Sequence, residues 1–143
     1  GLGKANPALK GLKSVKAVFG FEIGEPQSAL AHLQVIHQTF QDKDIRIGKK
    51  KPEFVVVFYG PSVKLASKNR DAFTAADQKV LGDYAATISA MAKDGVRFEI
   101  CKIALRMTGV DPSSILPEVK PVGNGWLSLI GYQARSYSLV PLK

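Results

Sequence analysis

Phe54-Val55-Val56-Val57-Phe58-Tyr59 is the stretch on which the fold turns. A strand with one wet face alternates apolar and polar residues; this β-branched and aromatic run does not break. That pattern suits a strand covered on both faces, the usual state in a parallel sheet. Lys49-Lys50-Lys51-Pro52 leads into it as a loop, and Gly60-Pro61 ends it. Upstream, Val15-Lys16-Ala17-Val18-Phe19-Gly20-Phe21 reads as a second apolar strand between turn formers. Gly24-Glu25-Pro26 then opens a helix with proline at or near its first position. Ala29, Leu30, Leu33, Ile36 and Phe40 recur at three- and four-residue spacing, giving that helix one face to lay on a sheet.

Downstream the alternation continues. A polar loop is expected from Lys64 through Asp71, longer than a plain connection requires, and such loops at strand ends often carry function. Thr74 is the expected N-cap of a helix to about Lys93, striped by Ala76, Val80, Tyr84, Ile88 and Met91. Asp94-Gly95 stops it. Val96 to Ile100 alternates like a short strand and runs straight into Cys101. Ile103, Ala104 and Met107 predict a two-turn helix closed by Gly109, and Asp111-Pro112-Ser113-Ser114 a capped turn. Val119 to Val122 is a short strand that Pro121 confines to an edge or a bulge. Gly123-Asn124-Gly125 turns into a helix over Trp126 to Gln133, and Ser136 to Val140 forms the last strand. The order β-α-β-α-β-α-β-α-β predicts an α/β fold: a single three-layer domain with a mostly parallel, five-stranded open sheet. Residues 1–14 are expected to be a flexible N-terminal arm and 15–143 the domain.

Bulk properties agree with one domain. The chain has 143 residues, 45% hydrophobic and 22% charged, and mean hydropathy near zero. That length buries enough surface to need no disulfide or metal staple, and the composition excludes disorder as the whole state. Twenty Lys and Arg against twelve Asp and Glu give +8 and an isoelectric point near 9.7. Such charge fits nucleic acid, an anionic membrane surface or anionic substrates. In the sequence, however, only Lys49-Lys50-Lys51 forms a tight run, and no basic helix face is interleaved with aromatics. A solvated surface is the better reading, and nucleic acid is not expected as a partner. No apolar run reaches membrane-spanning length. A cytoplasmic setting is expected, or a periplasmic one if a leader has been removed.

Chemistry is expected where parallel strands end, since ligands in open α/β sheets bind beyond the strand C-termini. That rule brings Phe21 to Gly24, Tyr59 to Lys64, Cys101 and Gly123 to Trp126 to one edge. Cys101, the one cysteine, sits where a strand hands over to a helix. There the helix dipole, free backbone N–H groups, Lys102 and Arg106 would favour the thiolate. The competing reading is a buried cysteine acting as a small hydrophobe. With one cysteine and two histidines, no internal disulfide forms and no zinc site is expected without other ligands. His32 and His37 lie five residues apart on one helix, rotated by about 140° at 3.6 residues per turn, so they do not ligate from one face. Gly123-Asn124-Gly125 imitates part of a dinucleotide fingerprint but lacks its third glycine, and a tight turn accounts for it. No cofactor is expected.

Three segments together carry a family resemblance. Gly95-Val96-Arg97-Phe98-Glu99-Ile100-Cys101 is followed by Leu105-Arg106-Met107-Thr108-Gly109-Val110 and Leu116-Pro117-Glu118-Val119. This succession of strand, cysteine, short helix and Gly-Val turn resembles the DsrE/DsrF family. Val122-Gly123-Asn124-Gly125, and Gln133 before a closing tyrosine-bearing strand, match the family's C-terminal pattern. Ser136 stands where many relatives have glycine, and the loop over 62–73 is this chain's own. The resemblance implies a flavodoxin-like open sheet, homo-oligomers, and, in some members, sulfur relay through a cysteine persulfide. By its place after the third strand, Cys101 is the cysteine that carries over. The implied function is a sulfur carrier rather than a turnover enzyme. In it Cys101 takes and passes on sulfane sulfur from or to a protein partner, Lys102 or Arg106 steadies charge, and Tyr59, Lys64, Asn124 and Trp126 wall the site. The alternative is a non-catalytic oligomeric binding module with a structural cysteine.

Overall fold

A computed structural model describes residues 6–143, so Gly1 to Ala5 of the expected arm lie outside the described residues. The described part of the arm holds one 3-10 turn, Pro7–Leu9, capped by the Asn6 side chain.

Five strands form one sheet: β1 (Lys16–Phe21), β2 (Glu53–Phe58), β3 (Arg97–Cys101), β4 (Val119–Val122) and β5 (Ser138–Leu142). Every pairing is parallel, and the order across the sheet is β4-β3-β2-β1-β5. The three-layer α/β architecture is the expected one. Its order is not the 2-1-3-4-5 of flavodoxin itself. The chain steps from β1 to β4 in one direction and then returns to place β5 beside β1. Pro121 sits on the edge strand β4, as its missing N–H requires.

The helices are α1 (Pro26–Gln41), α2 (Ala75–Asp94), α3 (Lys102–Thr108) and α4 (Gly125–Ala134). α1 and α2 pack on each other and on one face of the sheet, while α4 lies on the other. Glu25 caps α1, its carboxylate accepting from the Gln27 and Ser28 N–H groups, and Thr74 caps α2. The first face holds the main core: Phe19, Phe21, Phe54, Val56, Phe58, Phe98 and Ile100 point into it. Their rings meet edge to face, Phe19 with Phe54 at 4.8 Å and Phe21 with Phe58 at 5.3 Å. The interleaved residues Val18, Val55 and Val57 point to α4. Both sets are buried, so the unbroken run in β2 reflects a strand covered twice.

Three expectations shift in detail. The stripe of α2 is Leu81, Tyr84, Ile88 and Met91; Ala76, in the first turn, is exposed. Gly60–Ala66 is a 3-10 helix rather than open loop, with Ser62, Val63, Leu65 and Ala66 buried. The last strand starts at Ser138, two residues late, because Ser136 has a left-handed φ of 71° and Tyr137 is buried between α4 and the sheet.

Candidate functional site

Parallel strands bring their C-terminal ends to one edge, and the connections of this chain converge there on Cys101. It is the last residue of β3 and the N-cap of α3. Residues alternate along a strand, so Cys101 shares the α4 side of the sheet with Arg97 and Glu99. The first residue of α4 lies directly against it: a β-carbon on Gly125 would stand 3.1 Å from Cys101 Cβ. A side chain there would press on Cys101, so glycine eases that approach. Gly123, by contrast, has no neighbour within 4 Å of such an atom, so a tight turn does not explain both glycines alike. Asn124 caps α4 by accepting from the Trp126 N–H at 3.0 Å. Cys101 thus sits at the start of α3 and beneath the start of the ten-residue α4.

Two loops complete the wall. Ser62 is fully buried; its hydroxyl donates to the Phe21 carbonyl at 2.7 Å, with the Tyr59 carbonyl at 2.9 Å, and ties the 3-10 turn to the end of β1. The Tyr59 ring lies across β1, its hydroxyl 2.9 Å from where a Gly20 β-carbon would be. A side chain at position 20 would push the ring away.

The result is a cavity of about 650 Å³ with a mainly apolar lining. Tyr59, Lys64, Cys101, Asn124 and Trp126, all expected at the site, line it. Lys102 and Arg106 do not. They occupy one exposed side of α3, while Ile103, Ala104, Met107 and Thr108 face the cavity. Met107, one of the residues that predict α3, is exposed at the cavity rim, and Leu105 is buried. Glu22 also lines the cavity. It immediately follows β1, so the strand-end rule covered its position, but nothing in the local sequence marked it out. Burial raises the Tyr59 hydroxyl above its ordinary range, and the neighbouring Glu22 carboxylate raises it further. Cys101 is 6% exposed and forms part of the cavity floor.

A polar network holds α4 over the cysteine. Ser128 Oγ donates to Glu99 Oε1 at 2.6 Å, and the Tyr132 hydroxyl donates to Glu99 Oε2. Arg97 lies over the Tyr132 ring and donates to the Tyr137 hydroxyl at 2.7 Å, which donates to Glu53 Oε1 at 3.1 Å. Burial, then the Glu99 carboxylate, push the Tyr132 hydroxyl up to about 12. Sequence reading missed this network because Arg97 and Glu99 look like the solvent side of an alternating strand.

The two histidines stand apart from the site. His32 Nδ1 lies 2.7 Å from the Ser28 carbonyl, and His37 Nε2 lies 2.9 Å from Asp94 Oδ2. Among the described residues, no group of three His, Cys, Asp or Glu is arranged to hold a metal ion. Nor does any described helix have the length and apolarity to cross a membrane.

Comparison with known proteins follows the same outline. No curated protein sequence matches the chain. A protein of unknown function from Methanobacterium thermoautotrophicum, MTH1491, has a similar solved structure, with TM-score 0.69 and 18% identity over 90% of this chain and 99% of that one. The ychN protein from E. coli is similar at TM-score 0.55 and 13% identity, over 92% of this chain and 100% of that one. At such identities the likeness is one of fold. The sequence profile of the DsrE/DsrF-like family matches residues 26–142, from the start of α1 to the end of β5. The chain therefore belongs to the DsrE/DsrF-like family.

Proposed function

We propose that this protein is a sulfur carrier, in which Cys101 accepts sulfane sulfur as a persulfide and passes it to a second thiol. The observation that carries the reading is the placement of the lone cysteine on the floor of an apolar cavity, at the start of two helices. In the first step the Cys101 thiolate attacks the outer sulfur of a donor persulfide. A new S–S bond forms, the donor's S–S bond breaks, and the donor leaves as a thiolate carrying the electron pair. In the second step an acceptor thiolate attacks the outer sulfur on Cys101 and regenerates the Cys101 thiolate. No net oxidation occurs. The apolar wall, with Trp126 and Met107 at its rim, keeps water from the persulfide, and Lys64 supplies the positive charge nearest the opening. Lys102 and Arg106, outside the lining, act on approach of a partner rather than on the sulfur. An adjoining hollow shares Lys64 and Thr108 as its wall, which suits a donor or acceptor presented on a protein segment. The carrier works in the cytoplasm, where a lone cysteine stays reduced. Incubation with a persulfide donor and mass spectrometry tests it: a +32 Da adduct on Cys101, lost on transfer to an acceptor thiol, is expected.

The same reading includes assembly of like copies through α4. That helix turns Ser128 and Tyr132 inward and leaves Trp126, Leu127 and Ile130 67%, 64% and 62% exposed. An outward apolar face of this kind suits a protein interface. The sheet edge is less suited: the Leu142 carbonyl accepts from the Glu22 N–H at 2.8 Å, so Pro141 faces away from β1 and offers no outward N–H. Leu127→Glu with Ile130→Glu is expected to lower the mass measured by light scattering to that of one chain.

One observation favours the alternative, a binding module with a packed cysteine: Gly125 crowds Cys101 at its β-carbon. In that case folded Cys101 stays unmodified by both persulfide and iodoacetamide.

A further inference from the structure

The basic residues look scattered in sequence, and the fold gathers them. All strands are parallel, so the segments that lead into strands and end helices meet at the edge opposite Cys101. Lys10, Lys13 and Lys16 lead into β1. Lys43, Arg46 and Lys49 to Lys51 join α1 to β2. Lys93 and Arg97 join α2 to β3, and Arg135 joins α4 to β5. Against these eleven cations, the segments leading into the strands carry five acidic residues, Asp42, Asp44, Glu53, Asp94 and, before β4, Glu118. The rest of the described chain has eight cations and seven acidic residues, so most of the excess positive charge of the described residues lies on this one edge.

From this distribution we infer that the edge opposite the cysteine is a docking face for an anionic lipid surface. Three observations favour lipid over nucleic acid. The cations that stand out are lysines: Lys10, Lys13, Lys43, Lys49, Lys50, Lys51 and Lys93 are exposed. Two of the three guanidinium forks are used inside the fold, Arg46 on the Phe40 carbonyl and Arg97 on the Tyr137 hydroxyl. Of the aromatic rings near this edge, Phe40, Phe54 and Tyr137 are buried, and the half-buried Tyr132 is covered by Arg97 and packed on Tyr137, so none stands free as a platform for stacking bases. Leu12 is 45% exposed between Lys10 and Lys13, an apolar group that a lipid interface accepts and a phosphate backbone does not. Charges spread over four separate connections suit a broad, flat partner. Each lysine near an anionic bilayer raises partitioning by about fivefold, within roughly a Debye length. Docked this way, the protein holds the Cys101 cavity away from the membrane, open to soluble partners.

Co-sedimentation of the full chain with vesicles tests the inference. Vesicles of phosphatidylcholine with 30% phosphatidylglycerol, a composition of about that order for an anionic surface, are expected to bind it. Pure phosphatidylcholine vesicles are not, and 0.5 M salt, at a Debye length of roughly 4 Å, should release it. The triple change Lys13→Gln, Lys43→Gln and Lys50→Gln should lower partitioning by roughly a hundredfold. A charge-matched control away from the edge, Lys68→Gln, Lys79→Gln and Lys120→Gln, should lower it by about threefold or less. Far-ultraviolet circular dichroism confirms that both variants fold. Equal losses in the two variants would reduce the effect to net charge and overturn the inference. Binding to duplex RNA with none to anionic vesicles would overturn it in favour of nucleic acid.

Discussion

The two faces of the sheet are built from the same strands and look alike in sequence, yet they are finished differently. On one, α1 and α2 cover rings that meet edge to face in a dry core. On the other, α4 alone is held by Glu99, Ser128, Tyr132, Arg97 and Tyr137, and its outer side stays apolar. The first arrangement makes a fold. The second positions a wall: α4 starts on the β-carbon of Cys101, so whatever fixes α4 fixes the roof of the cysteine. The main core thus lies on one side of the sheet, while the roof over the cysteine is set from the other.

Substitutions can break that division. The largest effect is expected on the dry face, where Phe58→Ala removes a ring lying 5.9 Å from Phe98 and 5.3 Å from Phe21. Urea denaturation should show a loss of about 3–5 kcal/mol. On the other face Glu99→Ala leaves the Ser128 and Tyr132 hydroxyls without their acceptor and should cost about 1–3 kcal/mol. Its distinguishing mark is chemical: alkylation of Cys101 should speed up as α4 loosens, and Glu99→Gln should restore most of the wild-type rate. If Phe58→Ala speeds alkylation as much at matched stability, the division between faces fails.

The same network predicts a pH response. The Tyr132 hydroxyl is raised to about 12 when folded, chiefly by burial and then by Glu99, against about 10 unfolded. The folded state therefore keeps a proton that the unfolded state releases. This contribution is complete below about pH 10 and is lost as pH rises toward 12. Thermal melts at alkaline pH should fall less steeply in Glu99→Gln, where part of the cause is gone. The smallest effect concerns Ser136, whose φ of 71° lies in the left-handed region. Ser136→Gly should raise stability by about 0.5–1 kcal/mol, since only glycine adopts that backbone without strain. A loss of stability instead would mean that the serine side chain holds the turn.

How much of this was readable in advance depended on the range of the signal. Strands β1 and β2 were legible because β-branched and aromatic runs are local, and so were the caps Thr74 and Asp111 and the first-turn Pro26. The boundary at Ser138 was not, because Tyr137 looks like a strand residue and is buried by α4, an interaction across the fold. At the site, the strand-end rule pointed to Tyr59, Lys64, Cys101, Asn124 and Trp126, and these line one cavity. It missed that Lys102 and Arg106 turn away, which depends on the rotation of α3 about its axis. The crowding of Cys101 by Gly125 and the gathering of lysines on the far edge were hidden for the same reason. Each joins residues far apart in sequence, and only the strand order makes them neighbours.

The central claim is that Cys101 handles sulfur and does more than fill space. Mass spectrometry of the folded protein after incubation with a persulfide donor, beside a Cys101→Ser control, addresses it most directly. A +32 Da adduct on Cys101, absent from the control and discharged by an acceptor thiol, is the predicted result. An unmodified Cys101 in a protein that also resists iodoacetamide until unfolded would contradict it.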